Sequence, residues 1–215
     1  HGNIEKLHTA AGKPDGAHTT NLVPFLLIDP SAPGPISLRD GALSDVAPTV
    51  LEVLGIPQPP EMTGRSLAAG HSWGKDRKML LVICDGWGLG TGDAGDAIHL
   101  ADTPYWDSLL GSHSWCRLQA SGDAVGLGGG KAGNSEAGHS NLGAGRRVPQ
   151  DDVRLDAAVK DGSFARNWIL ENQAGRPYFN ATRRINSEHP VEKVGAELRR
   201  QMLWAEDTDP DKASN

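Results

Sequence analysis

Apolar residues along this chain fall in short runs separated by polar, Gly- and Pro-rich stretches, and the spacing within each run predicts its element. VPFLLID (Val23–Asp29) is a compact apolar run with the length of a buried strand, and PSAPGP (Pro30–Pro35) breaks it. In LSDVAPTVLEVLGI (Leu43–Ile56), Val46, Val50, Leu51 and Leu54 recur at helical spacing, with Ser44 as the cap and Pro48 in the first turn. MLLVICDGWG (Met79–Gly88) reads as a central strand that runs into a loop at Asp85. Thr103–Ser112 predicts a short helix with Thr103 as cap and Pro104 in its first turn. SWCRLQASG (Ser114–Gly122) predicts a further strand leading into a glycine-rich stretch. Strands alternating with helices point to an α/β layer fold, and no internal repeat is evident.

The stretches between these elements set the organisation. Residues 1–22 are polar and Gly-rich, residues 57–67 are irregular, and Ala68–Lys78 has the composition of a flexible join. Beyond Asn167 the texture changes: one helix is predicted near Val191–Trp204, followed by an acidic polar end, and His189 reads as a surface residue. The boundaries expected are therefore 1–70, a join at 71–77, a segment 78–167 and a tail 168–215 without a catalytic constellation.

Composition narrows the function classes. A length of 215 residues suits one sizeable domain, or a domain with an appendage. The net charge of −6 argues against a general nucleic-acid binder, which would show a basic face. Small anionic substrates stay open, because a metal ion reverses the local sign of a site. No apolar run reaches membrane-spanning length and no secretory leader is visible, while the start at His1 rather than Met suggests that upstream residues lie outside the chain. Cys84 and Cys116 sit in apolar runs without metal-binding spacing. They read as buried thiols of a reducing, cytoplasmic compartment, with a single bridge as the alternative.

Candidate chemistry gathers in KAGNSEAGHSNLGAGR (Lys131–Arg146). Its glycines remove side chains where backbone must turn or approach closely, and Ser135 stands where a helix begins. A hydroxyl at a helix start suits an oxyanion or phosphate, but Ser before an acid is also ordinary capping material. Asp85 has the same two readings: a ligand-binding position at the carboxyl end of a strand, or a turn-forming Asp-Gly. Asn134 could orient a phosphoryl oxygen or simply satisfy its loop. His139, four residues after Ser135, reads as a structural hydrogen-bonding residue. Lys131 and Arg146 could attract an anion or be solvated surface charge, and Asp151 and Asp152 read as surface acids.

Several windows together, CDGWG, GNSEAGHSNLGAGR, HGNIEKL and AHTTNLVPF, closely resemble motifs of the cofactor-independent phosphoglycerate mutases, members of the alkaline phosphatase superfamily. LRDGALSDVAPTVLEVLGIPQPPEMTGRSL resembles the C-terminal segment of the same family. The resemblance covers about residues 1–70 and 78–167. Its two segments stand in the reverse of the family's order, and the family's intervening substrate-gripping domain has no counterpart. The fold this implies is an alkaline-phosphatase-like three-layer sandwich with a mainly parallel sheet, circularly permuted through the Ala68–Lys78 join.

The resemblance also implies roles. Ser135 becomes the nucleophile that forms a phosphoserine, since a metal can lower its pKa enough to act. Two manganese ions, with magnesium as the alternative, would take Asp85, Ser135 and His1 on one side and His18 on the other. The family motif is Asp-His-Gly-Asn and this chain begins at the His, so the ligand set is incomplete. The activity implied is interconversion of 3-phosphoglycerate and 2-phosphoglycerate. The alternatives are a metal-dependent phosphohydrolase domain or an inactive fragment of the mutase. The expected partner is a small phosphorylated substrate, with no nucleic acid and no membrane.

Overall fold

A computed structural model of the chain describes residues 1–8, 12–32, 34–74 and 78–188. The chain divides into two units, His1–Arg154 and Leu155–Asn215. The first unit is α/β, built on a three-stranded sheet in the order β1-β3-β2. β1 is Val23–Leu27, β2 is Gly41–Ala42 and β3 is Ser114–Gln119. Period-2 alternation explains the outer pair. Val23, Phe25 and Leu27 on β1 and Cys116 and Leu118 on β3 point to one buried face. Trp115, Arg117 and Gln119 take the other face. Pro24 cannot donate to a second ladder, which suits the edge position of β1.

The expectation of a mainly parallel sheet is corrected here. β1 and β3 run antiparallel, with Phe25 opposite Cys116, and only the two-residue β2 is parallel to β3. The residues expected to supply a central strand, Met79–Cys84, carry no strand assignment. Leu80 is 84% exposed and Val82 70%, so an apolar run fit for a sheet centre lies outside the ladder. Cys84 is exposed with it, against the expectation of a buried thiol, whereas Cys116 is buried as expected; both are free.

Helix α1, Val46–Leu54, is preceded by a 3₁₀ turn at Leu43–Asp45 and closed by Gly55. The predicted Ser44 cap does not form. Asp45 instead accepts from the Ala42 and Arg65 amides, at 3.1 and 2.8 Å. The buried stripe is Val46, Thr49 and Val53, with Val50 packed against the core. Leu54, expected on that stripe, is exposed. Thr49 can occupy the core because its hydroxyl donates to the Asp45 carbonyl at 2.7 Å and accepts from the Leu67 amide at 2.9 Å.

Helices α2 (Ala97–Leu100), α3 (Pro104–Ser112) and α4 (Ser135–Ala144) follow. α3 has the predicted bounds, but the Thr103 side chain makes no capping bond to the helix backbone. Its hydroxyl donates to Asp107 instead, at 3.3 Å. The core joins the two halves of the unit. Val23, Phe25, Leu27, Leu43, Val46 and Leu67 from the first half pack in one cluster with Cys116, Leu118, Ala120, Val125 and Ala137 from the second.

α5 (Asp151–Lys160) begins in the first unit and runs on into the second, which also holds α6 (Ser163–Gln173) and α7 (Pro177–Glu188). These last two helices occupy most of residues 168–188, the described part of the stretch read as a tail. Glu171 ties them, its carboxylate accepting from the Phe179 amide at 2.8 Å. The helix predicted near Val191–Trp204, and His189, lie outside the described residues. No described helix is long and apolar enough to cross a membrane.

Candidate functional site

Asn134, not Ser135, caps α4: its side-chain oxygen accepts from the Ala137 amide at 2.8 Å. That assignment releases the neighbouring hydroxyl. Ser135 stands at the first helical position and donates from Oγ to Asp85 Oδ2 at 2.6 Å. The two candidates, fifty residues apart in sequence, thus meet in the fold. Of the two readings open for Asn134, this contact uses its side-chain oxygen for local hydrogen bonding.

Asp85 uses its other oxygen as well. His1 Nδ1 lies 3.0 Å from Asp85 Oδ1. The ring is off the line of a proper N–H···O bond, so Nδ1 is a buried nitrogen at ion-pair distance without an aimed hydrogen bond. The His1 side chain is only 5% exposed while Asp85 is 51% exposed, so the pair runs from the interior to solvent.

His18 completes the cluster. Its ring lies 4.0 Å from that of His1, centroid to centroid, tilted by 47°. Its Nδ1 is held 3.0 Å from the Gly133 carbonyl. The backbone supports the same contact, since the Gly133 amide donates to the Thr19 carbonyl at 3.3 Å. A Cβ on Gly133 would fall 2.1 Å from the Ala120 carbonyl oxygen and 3.0 Å from the His1 Cβ. Glycine is required there so that three segments can close around one point.

Four residues singled out in the sequence therefore come together: His1, His18, Asp85 and Ser135. Others do not join them. His139 takes its Nδ1 back to the Ser135 carbonyl at 2.7 Å, a contact within its own helix. Lys131 pairs with Asp152, and Asp151 with Arg154 at 3.3 Å. An apolar cavity of about 940 Å³ opens beside the cluster, lined by β1, by Met79–Asp85 and by Trp87 and Trp106.

As a metal centre the donor set is partial. Among the described residues no three His, Cys, Asp or Glu side chains form a group able to hold a metal ion. His1 and Asp85 converge with a hydroxyl, Ser135, while His18 is turned by its bond to Gly133. His1 Nδ1 is a buried nitrogen without an aimed hydrogen bond, next to the Asp85 carboxylate that also holds the Ser135 hydroxyl.

Sequence reasoning missed two buried polar residues. Asn141, fully buried on α4, donates to the Val125 and Ala137 carbonyls at 2.9 and 2.7 Å and accepts from the Val148 amide at 2.9 Å. It fastens α4 to Val125 on one side and Val148 on the other. Glu5 is 3% exposed and lies within HGNIEKL, a window singled out for its histidine. Nothing in local sequence marks either one: Asn141 is held by backbone groups four to sixteen residues away and Glu5 by donors as far as Gly88, and no short motif announces such contacts.

Comparison with known proteins shows two kinds of likeness. A 112-residue stretch, 52% of this chain, is 50% identical to a 2,3-bisphosphoglycerate-independent phosphoglycerate mutase of Parabacteroides distasonis. A mutase of the same name from Acaryochloris marina is 52% identical over 93 residues, 43% of this chain. One from Methanosarcina acetivorans is 49% identical over 94 residues, 44% of the chain. The matches cover 21%, 17% and 18% of those relatives, so the chain spans about a fifth of their length. The motif resemblance to these mutases is thus shown for about half of the chain. Separately, residues 148–204 match the family model described as ketol-acid reductoisomerase, C-terminal domain. This second likeness begins nineteen residues before Asn167, inside the segment 78–167 expected from sequence. No solved structure matches.

Proposed function

We propose that the first unit performs phosphoryl transfer at Ser135, of the kind that interconverts 3-phosphoglycerate and 2-phosphoglycerate through a phosphoserine. The observation that carries this reading is the 2.6 Å bond from Ser135 Oγ to Asp85, at the start of a helix and beside two histidines. The names of the relatives support the substrate class. The mixing of both sequence segments in one core supports a permuted phosphatase-like domain. We place it in the cytoplasm as part of the same proposal.

The chain's own residues divide the work. Asp85 accepts the Ser135 proton along the bond already aligned, which leaves Oγ free to attack phosphorus while the ester oxygen departs. The positive end of the α4 dipole at Ser135 would favour the charge of the phosphoryl oxygens. His1 holds Asp85 from the buried side. A divalent cation such as Mn²⁺, bound by His1, Asp85 and Ser135, would supply Lewis-acid stabilisation of the phosphoryl charge.

One observation favours hydrolysis as the second reading. Asp85 is half exposed and His18 is exposed, so water reaches the phosphoserine as readily as a hydroxyl of glycerate does. Incubation with 3-phosphoglycerate and Mn²⁺, followed by intact mass and ³¹P NMR, tests both. Phosphorylation at Ser135 is expected in the parent chain and lost in Ser135→Ala. The appearance of 2-phosphoglycerate marks the mutase and of free phosphate the hydrolase. An unmodified Ser135 with neither product rejects both readings and leaves an inactive fragment.

A further inference from the structure

We infer that Glu5 is the positioning residue of this site, a buried carboxylate that ties together the three loops bearing His1, His18 and Asp85. Its functional meaning rests on the reading above; the tie itself is a property of the fold. Oε1 accepts from the Thr19 hydroxyl at 2.5 Å and from Asn21 Nδ2 at 3.1 Å, both in the His18 loop. Oε2 accepts from the Asn3 amide at 2.7 Å, two residues from His1, and from the Gly88 amide at 3.2 Å, three residues from Asp85. Four donors converge on two oxygens, and no Lys or Arg pairs with the carboxylate among the described residues.

This pattern selects the residue type. Every partner is a donor, so the group must accept at both oxygens, which a carboxylate does and a carboxamide does not. A glutamine would present its NH₂ to one pair of donors and break either the His18 loop contacts or the His1 and Asp85 loop contacts. Removal altogether would leave buried N–H and O–H groups unsatisfied at a site with little access to water.

The backbone is shaped around the same carboxylate. A Cβ on Gly88 would lie 2.4 Å from both Glu5 Cδ and Oε1, and a Cβ on Gly2 would lie 2.2 Å from Oε1. Both positions are bare because the carboxylate fills the space. The main chain laces the loops in parallel. Gly2 bridges both Thr19 and Gly86, and the Asn3 and Ile4 amides donate to the Gly86 carbonyl at 3.0 and 3.1 Å. The carboxylate is the only side chain among the described residues with hydrogen bonds into all three loops.

The test uses the full chain and amide hydrogen exchange read by NMR. In Glu5→Gln, exchange is expected to rise roughly tenfold or more in residues 1–5, 18–21 and 85–88 together. The Gly88 amide resonance should lose the downfield shift of a proton donated to a carboxylate, and β3 and α4 should stay protected. Gly88→Ala is expected to loosen the same three loops, and to do so much less in a Glu5→Ala background, where the obstructing carboxylate is gone. Loosening confined to residues 1–5, or additive effects of the Gly88 and Glu5 changes, would overturn the tie. Ser135 phosphorylation is measured on the same samples. Three loosened loops with no phosphorylation in the parent chain would uphold the tie and sink the phosphoryl-transfer reading. A phosphorylated parent with unchanged loops in Glu5→Gln would do the reverse.

Discussion

Within the decapeptide MLLVICDGWG, residues Asp85–Gly88 are fastened on several sides, while the six residues before them have no ladder partner. Asp85 holds Ser135 and faces His1, the Gly86 carbonyl takes two amides, and the Gly88 amide reaches Glu5. Leu80, Val82 and Ile83 are exposed. Full burial of a side chain such as Leu80 would contribute about 2 kcal/mol, and here that gain is not realised. The contrast teaches that apolarity specifies a wish for burial, whereas specific donors and acceptors specify a place. A strand needs a neighbouring edge, and the polar loop brings its own partners.

Thiol chemistry offers the widest contrast between a held and an unheld residue. Burial pushes the Cys116 thiol up to about 12, with Asp40 adding to the rise. At pH 8 that leaves on the order of one thiolate in ten thousand. Alkylation should therefore consume Cys84 within minutes and spare Cys116 until the chain is denatured, with peptide mapping as the measurement. Raising the pH toward 10 should not open Cys116, since its titration lies above that range. Equal labelling of both would mean that the sheet face is not closed.

Core energetics give the next contrast. Leu118, 2% exposed on β3, should cost about 3 kcal/mol when cut to Ala, read from the urea midpoint. Leu80→Ala should change stability by no more than about 0.5 kcal/mol. If Leu80→Ala matched Leu118→Ala, the Met79–Cys84 run would be packed in solution and its separation from the sheet would be wrong.

The smallest effect separates the two residues at the start of α4. Asn134→Ala removes the cap and should destabilise by about 1 kcal/mol. Ser135→Ala leaves the cap intact and should stay within about 0.5 kcal/mol, although it abolishes the chemistry proposed. The opposite order would return Ser135 to the role of a cap.

Much of the local structure was legible. The β1 run, the β3 run and the α3 bounds follow from periodicity and from Pro placement, because those signals act over a few residues. The Ser44 cap was not, since Asp45 is recruited by the amides of Ala42 and Arg65, the latter twenty residues away. The helices α6 and α7 were passed over because their apolar residues, among them Trp168, Ile169 and Tyr178, are largely exposed and trace no buried stripe. For the site, residue types and motif windows drew attention to His1, His18, Asp85 and Ser135. Their convergence, and the carboxylate that arranges it, could not be read locally.

What the amino-acid sequence settled alone was the kind of element made by the β1, α1, α3 and β3 segments and the motifs that liken half the chain to phosphoglycerate mutases. Both are carried by neighbouring residues, through backbone preference and short spacing. Tertiary structure alone decided that β1 and β3 pair antiparallel, that the apolar run at Met79 finds no edge, and that Asn134 rather than Ser135 caps the helix. It also decided that Glu5 is buried among donors from three loops. Those outcomes depend on which distant groups arrive within about 3 Å of one another, a distance at which hydrogen bonds form or fail. No local pattern encodes that meeting.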